Sequence, residues 1–199
     1  MCIYLLKGSC WAFSAVASME SANAQATGKL IELSEQNLVD CSGPEGNLGC
    51  NGGVTDFAFN YTIINGGIDT EDSYPYIGRD EKCKFKKSDV GLVIKNYTDV
   101  THGDEMALFD AVSERVVSVG IEATFELQMY VSGIFSTPCQ VPAQINHAVA
   151  IVGYGSDNEK DFWIVRNSWG EDWGEQGYVR FAKGQNLCGI ADFASYPDV

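Results

Sequence analysis

Three residues in this 199-residue chain could together form a nucleophilic site, although they lie far apart in the sequence: Cys10, His147 and Asn167. Cys10 begins an Ala-rich helical pattern, where the helix dipole and the free amide groups favour a nucleophilic thiolate. His147 begins a run typical of a buried strand, and its imidazole can accept and return a proton. The amide of Asn167 can orient that imidazole without adding negative charge beside a thiolate. These residue types predict covalent catalysis by a cysteine.

Each residue taken alone also has a structural interpretation. A buried cysteine is usually a small hydrophobic residue, a histidine at the start of a strand can be a hydrogen-bonded core residue, and an asparagine in a turn often only shapes that turn. His102 is the only other histidine, and its polar surroundings THGDE favour a solvated loop or helix-cap position. His147 is therefore the candidate for the base.

The first half of the chain has helical patterns that place Cys10. Residues 10–26 lack Gly and Pro and carry a buried stripe that ends at Gly28. A second helix is predicted to begin at Ser34, and VTDFAFNYTIIN predicts a third. The Gly-rich stretch GPEGNLGCNGG between them predicts a loop without regular structure.

The second half, after about residue 100, has strand patterns that place His147 and Asn167. The runs are VVSVGIEA, HAVAIVGYG, DFWIVRNSW and GYVRFAK, separated by Gly, Asn and Asp. A helical half followed by a β-rich half predicts an α+β protein of two packed lobes. A cleft between the lobes is the expected place for the site.

Composition excludes several classes of partner. Thirteen Lys and Arg against 27 Asp and Glu give a net charge of −14 and a pI near 4.4, which repels nucleic acids and anionic membranes. No run of 18 apolar residues predicts a membrane span, and no export signal is apparent. The seven cysteines lack metal-site spacing, so we expect no metal or other cofactor. Two glycosylation triplets, at Asn60 and Asn96, agree with a secretory route.

The order Cys10, His147 and Asn167, with separations of about 137 and 157 residues from the cysteine, is typical of one family. From Gly8 to Val199 the chain resembles the papain-like cysteine peptidases, and most closely their cathepsin L-like branch. The motifs that carry this resemblance are GSCWAFSAVASMES, LSEQNLVDCSGPEGNLGCNGG, SYPY, NHAVAIVGYG, WIVRNSWGEDWGEQGYVRFAK and CGIADFASYP.

The resemblance implies a fold and the boundaries of the domain and its lobes. We expect a papain-like two-lobe α+β fold, with a helical lobe packed on a β-barrel-like lobe and the active-site cleft between them. The peptidase domain would span residues 8–199, with residues 8–96 mainly helical and residues 97–199 mainly β. Residues 1–7 do not match the family.

The resemblance also implies roles by position. Cys10 matches the nucleophile, His147 the acid and base, and Asn167 the orienting amide. Substrate-binding positions would be Gly8, the Gly52 and Gly53 edge, the shielding Trp169, and the main specificity pocket of Val54, Thr55, Gly120, Ile145, Asn146 and Phe193. Because Phe193 is bulky, we expect a shallower apolar pocket. The implied disulfides join Cys41 to Cys83 and Cys139 to Cys188.

The match ends abruptly before Gly8. Tyr4 stands where the family has its oxyanion-hole glutamine, and Lys7 stands where it has the partner of Cys50. We expect Cys50 to lack its usual partner; Cys2 is left as an alternative partner, although it lies eight rather than three residues before Cys10. This start indicates either a fragment or mispredicted beginning, or a true truncated protein that keeps the fold.

Two functions follow from the resemblance. One is a cysteine-type endopeptidase acting through a thioester acyl-enzyme in a lysosome or outside the cell. The other is a truncated, weakly active or non-catalytic homologue that binds peptides or a partner through the same cleft. The implied partners are polypeptide substrates and cystatin-like or prosegment inhibitors, and the implied state is a monomer without nucleic-acid or membrane binding.

Overall fold

The structure is a computed structural model that describes Cys2 and residues 8–199. The predictions about Tyr4 and Lys7 therefore lie outside the described residues. Within the described part, no helix is both long and apolar enough to cross a membrane.

The first half of the chain contains the three predicted helices. They are α1 (Cys10–Thr27), α2 (Glu35–Cys41) and α3 (Thr55–Asn65). Helix α1 ends at Gly28, which adopts the left-handed conformation, with φ 73°, and donates its N–H to the Ala24 carbonyl. The Ser34 hydroxyl accepts the Asn37 N–H and caps α2 as predicted.

The Gly-rich stretch between α2 and α3 is more regular than predicted. It contains two short 3-10 turns, Gly43–Glu45 and Gly49–Asn51. Each turn is closed by one backbone hydrogen bond between residues three apart, from the Gly46 N–H to the Gly43 carbonyl and from the Gly52 N–H to the Gly49 carbonyl. Gly46 and Gly52, which end the turns, both have positive φ. The prediction of no regular structure was therefore wrong at these two turns.

The second half is dominated by strands. Two helices interrupt them, α4 (Glu105–Glu114) and α5 (Phe125–Gln128). Two short strands, β1 (Ile68–Asp69) and β2 (Val90–Leu92), precede this half and pair with each other. The strands from residue 96 onward are β3 (Asn96–Asp99), β4 (Val117–Ile121), β5 (Ile134–Phe135), β6 (His147–Asp157), β7 (Lys160–Arg166), β8 (Tyr178–Ala182) and β9 (Ala194–Asp198). The four predicted strand segments correspond to β4, β6, β7 and β8.

Seven strands form one sheet in the order β3-β9-β4-β6-β7-β8-β5. Neighbours run antiparallel except β5 and β8, which run parallel. Strand β6 lies at the centre and pairs His147 with Ile121 of β4. The backbone of His147 is therefore held by its own strand, β6, and by pairing with the neighbouring strand, β4.

The buried residues form two separate hydrophobic cores. One core is built on α1, α2 and α3 and includes Trp11, Met19 and Phe59, all fully buried. The other lies against the sheet and includes Trp163 and Phe181. Two cores in one chain match the expected two-lobe α+β architecture.

Helix α1 crosses from one lobe to the other and brings Cys10 toward β6. The Ser14 hydroxyl donates to the Val149 carbonyl of β6 at 2.7 Å. The Ser18 and Ser118 hydroxyls lie 2.9 Å apart, and Ser118 also donates to the Ser14 carbonyl at 2.9 Å. These buried polar contacts set the position of α1 relative to β4 and β6.

Three disulfides stabilise the two lobes. Cys41 is bonded to Cys83 and Cys139 to Cys188, which are the pairs that the resemblance implies. The third joins Cys2 to Cys50. The alternative partner of Cys50 is therefore the one found, and the Cys2 N–H also donates to the Gly78 carbonyl at 2.6 Å. The number of residues between Cys2 and Cys10 did not predict that Cys2 lies close to Cys50.

Candidate active site

Cys10 is the one free thiol of the protein. All seven cysteines lie among the described residues, and the other six are in disulfides. Cys10 is the first residue of α1 and is partly buried, after a buried bend at Gly8 and Ser9. The Ser9 carbonyl accepts the N–H groups of Ala12 and Phe13, which closes the first turn of the helix around the thiol.

His147 is the first residue of β6, and its side chain is only 5% exposed. Its Nε2 lies 2.8 Å from Asn167 Oδ1. Because an amide oxygen only accepts, Nε2 carries the hydrogen and donates it. Nδ1 is then the ring nitrogen that remains for proton exchange.

Asn167 follows β7 and is held by two of its neighbours. Its Oδ1 also accepts the Ser168 N–H at 2.8 Å, and its own N–H donates to the Gly177 carbonyl at 2.9 Å. The Trp169 ring stacks on the His147 ring, with centroids 4.9 Å apart and planes 22° apart. Trp173 packs edge-on against Trp169 at 5.0 Å. The imidazole is thus oriented by an amide and covered by an indole.

Burial disfavours charge on Cys10 and on His147 taken separately. Burial raises the pKa of the Cys10 thiol, and hydrogen bonds from the backbone of Ala148, Trp11 and Cys10 itself partly offset this rise. Burial lowers the pKa of His147 to about 4, and the hydrogen bond to Asn167 opposes that shift. The contact with the Ala148 backbone also shows that the thiol lies beside the start of β6.

The Gly52 and Gly53 edge lies at the end of the second 3-10 turn. A Cβ at Gly53 would overlap Asn47 Oδ1 and come within 2.6 Å of the Trp11 ring, so only glycine fits there. Among the described residues, no backbone hydrogen bond involves Gly53. Its exposed backbone is therefore available to an extended ligand.

The residues predicted for the specificity pocket are brought together only in part. Gly120, Ile145 and Phe193 are neighbours, because a Cβ at Gly120 would lie 2.8 Å from Ile145 Cγ2 and 3.4 Å from Phe193 Cβ. Asn146 instead accepts the Ala123 N–H at 2.8 Å. Thr55 lies 3.3 Å from the Ser195 hydroxyl, and Val54 donates its N–H to Asn47.

A cavity of about 550 Å³ lies between α1 and β6. Asn167 is among its lining residues, but Cys10 and His147 are not. The cavity therefore borders the site at Asn167 without including Cys10 or His147. Within residues 8–199 and Cys2, no cluster of His, Cys, Asp and Glu has the arrangement of a metal site.

Sequence reasoning missed two residues that shape the site. The backbone of Ala148 contacts the Cys10 thiol, and no side-chain pattern could reveal a backbone contact. Glu122 is 5% exposed, and its Oε2 accepts the N–H groups of Gln140 and Gln144 at 3.1 Å each, in the segment that leads to His147. The sequence signal that could have pointed to Glu122 is an acidic residue near the end of the apolar run VVSVGIEA.

The chain belongs to the papain family, and its fold is that of this family. The family described as papain family cysteine protease matches residues 7–198.

The chain is 53% identical over 196 residues to oryzain beta chain from Oryza sativa subsp. japonica, covering 96% of this chain and 42% of that protein. It is 50% identical over 194 residues to a cathepsin L-like peptidase from Aedes aegypti, covering 96% of this chain and 57% of the relative. The solved structure of digestive procathepsin L 3 from Tenebrio molitor larval midgut superimposes with a TM-score of 0.93 at 46% identity, covering 97% of this chain and 64% of that one. The chain spans about half the length of these relatives.

Proposed function

We propose that this chain is the catalytic domain of a cysteine-type endopeptidase. One observation carries the proposal: the single free thiol begins α1 beside the backbone of Ala148, and the preceding residue, His147, has its imidazole hydrogen-bonded to Asn167 and stacked on Trp169. A thiol, a proton acceptor and an orienting amide are the parts of an activated nucleophile.

In the proposed mechanism the proton moves from Cys10 Sγ to His147 Nδ1 as the thiolate attacks the peptide carbonyl. Because burial disfavours either charge alone, forming both charges together is the less costly route. A C–S bond forms, the C–N bond breaks, and the imidazolium returns its proton to the leaving amine. His147 then takes a proton from water, which attacks the thioester and releases the acid and the Cys10 thiol.

The same proposal gives roles to the substrate-binding residues. The unused backbone of Gly53 would hold an extended substrate by strand-like hydrogen bonds. Gly120, Ile145 and Phe193 would face the residue before the scissile one, here called P2. The Cys10 N–H would be one oxyanion donor, and the prediction that Tyr4 cannot supply the second stays a prediction.

The disulfides and the similar solved structures also support proposals about the compartment and the partners of the protein. Three disulfides support an oxidising environment, such as a lysosome, a vacuole or the extracellular fluid. Two similar solved structures are a procathepsin L and a cysteine protease in its proform. We propose that prosegment-type and cystatin-like inhibitors bind the cleft of this chain, and that the helical and β lobes span residues 8–96 and 97–199.

The test is active-site titration with an epoxysuccinyl thiol-protease inhibitor, read by intact mass. One equivalent should label Cys10, and His147→Ala should abolish labelling. His102→Ala is the matched control and should still label Cys10.

Failure of the folded protein to label or to cleave peptides would overturn the peptidase proposal. It would leave the alternative of a peptide-binding homologue without catalysis. Equal labelling of wild type and His147→Ala would overturn the choice of base.

A further inference from the structure

Two triplets in the chain have the same sequence, Asn-Tyr-Thr, and the proposed mechanism uses neither of them. They lie at residues 60–62 and 96–98. An Asn-X-Thr triplet is the acceptor for N-linked glycosylation in proteins that enter the secretory route. Because the two triplets are identical, a difference in their accessibility must come from the fold around them.

The first triplet lies inside helix α3. Asn60 is half-buried, Tyr61 is 4% exposed and Thr62 is fully buried. The Thr62 hydroxyl donates to the Ala58 carbonyl at 3.0 Å and lies 3.8 Å from Met19 Sδ of α1. Since an acceptor triplet is recognised through both its asparagine and its threonine, the packing of Thr62 against α1 opposes recognition of this triplet.

The second triplet lies on β3, the edge strand of the seven-stranded sheet. Side chains alternate between the two faces of a strand. Tyr97 is the residue of β3 that packs inward, with its ring centroid 5.9 Å from that of Phe59 in α3. Asn96 and Thr98 are both exposed. The two side chains by which this triplet is recognised therefore face solvent.

The order of synthesis also separates the two triplets. Strand β3 pairs with β9, so that Asn96 lies opposite Asp198. At about 5 to 20 residues per second, residues 194–198 are made about 5 to 20 seconds after β3. Helix α3 makes its hydrogen bonds within itself and packs against α1, which is made earlier. The second triplet therefore stays unpaired during synthesis for longer than the first.

We propose that Asn96 is an N-glycosylation site of this protein and that Asn60 stays unmodified. In the transfer, Asn96 Nδ2 forms a bond to C1 of the first sugar of a lipid-diphosphate-linked oligosaccharide. The bond from C1 to the diphosphate oxygen breaks, the lipid diphosphate leaves with the electron pair, and the displaced amide proton passes to solvent. The modification does not depend on the proposed peptidase function, but it requires the proposed secretory compartment.

The test is expression of the whole chain behind a cleavable secretory leader in yeast, with mass spectrometry of both the secreted and the retained protein. Wild type should carry one glycan that endoglycosidase H removes. The added mass should be lost in Asn96→Gln and kept in Asn60→Gln, which is the matched control. Thr98→Ala keeps Asn96 but destroys the triplet, and it should also lose the glycan.

A second experiment tests whether the fold causes the difference between the triplets. The disulfide between Cys41 and Cys83 encloses α3 in sequence, and loss of a native disulfide often prevents folding. Translation into microsomes with dithiothreitol keeps this pair reduced. Both triplets should then be modified, because their sequences are identical. Absence of a glycan from Asn60 under these conditions would contradict the role of the fold.

Wild type without a glycan, with glycans at both positions, or with a glycan that is lost only in Asn60→Gln would overturn the proposal. Because the leader imposes the secretory route, these outcomes leave the proposed compartment untouched. Active-site titration of the same protein separates the result from the proposed function. A glycosylated, folded protein that does not label at Cys10 would refute the peptidase function alone, and a labelled protein without a glycan would refute the modification alone.

Discussion

At the scale of single residues, the hydrogen bond between His147 and Asn167 affects the pKa of the imidazole. That bond opposes the fall in the pKa of His147 caused by burial. In Asn167→Ala the pKa should therefore fall further, and the acidic limb of kcat/KM, expected near pH 4 in wild type, should move to lower pH.

The same variant should lower kcat/KM at the optimum by about 10-fold to 100-fold, because a hydrogen bond to a charged ring contributes about 1.5 to 3 kcal/mol. A pH profile of kcat/KM measures both effects. Asn96→Ala, in an exposed position on β3, is the control. An acidic limb that moves to higher pH in Asn167→Ala would contradict the role given to the amide.

Gly53 gives a second prediction at this scale. In Gly53→Ala the new Cβ would overlap Asn47 and the Trp11 ring, so the backbone edge must shift. We expect a loss of about 1 to 3 kcal/mol in the free energy of unfolding and a raised KM for peptide substrates. Gly43→Ala is the matched control, because its Cβ would meet nothing within 4 Å. Urea unfolding and steady-state kinetics measure the two effects, and equal behaviour of both variants would contradict the steric argument.

At the scale of elements, Glu122 at the end of β4 anchors the segment that leads into β6. Its Oε2 accepts two backbone N–H groups, so Glu122→Ala leaves the Gln140 and Gln144 donors without this partner. We expect a loss of about 1 to 3 kcal/mol in stability, together with a lower kcat because His147 begins the next strand. Glu122→Gln keeps one carbonyl oxygen for both donors and should lose less. Thermal unfolding and kcat should rank the variants in this order, and equal losses would contradict the anchoring role.

The elements that place the site were largely predictable from local pattern. An uninterrupted helical stretch that ends in glycine gave α1 and hence Cys10, and short apolar runs gave β4, β6, β7 and β8. The partner of Cys50 and the contact of Cys10 with the Ala148 backbone were not predictable, because each depends on how distant segments meet. The contact of the Phe193 ring with the His102 ring also depends on such a meeting, since the two residues are 91 apart in sequence.

At the scale of the whole molecule, carboxylates accumulate where the two lobes meet. The cavity between α1 and β6 is lined by the glutamates Glu20, Glu32, Glu35, Glu71 and Glu171, with Arg166 as the cation in its lining. Glu20 accepts the Leu33 N–H at 2.9 Å, and Glu71 accepts the Tyr76 N–H at 2.8 Å. The second oxygen of Glu71 is buried without a hydrogen bond to any described group. This interface therefore accumulates negative charge that is only partly compensated.

The burial of Glu35 at this interface makes the stability of the fold depend on pH. Burial raises the pKa of Glu35 to about 8, and the neighbouring Glu71 and Glu20 add to the rise. Between about pH 4.5 and pH 8 the folded state therefore holds a proton that the unfolded chain has released. Stability must fall as pH rises through this window, by at most about 1.4 kcal/mol per pH unit for one group.

Glu35→Gln should remove most of that slope, because glutamine keeps the shape and never ionises. The variant should match wild type near pH 4 and exceed its stability near pH 8, measured by urea unfolding across the window. Glu114→Gln makes the same charge change at an exposed site and should leave the slope unchanged. Since the whole chain carries a net charge of −14, general repulsion would instead flatten both slopes equally. A steep slope in Glu35→Gln would contradict the assignment of the proton to Glu35, whereas loss of the slope in that variant alone would locate the pH sensitivity at the lobe interface.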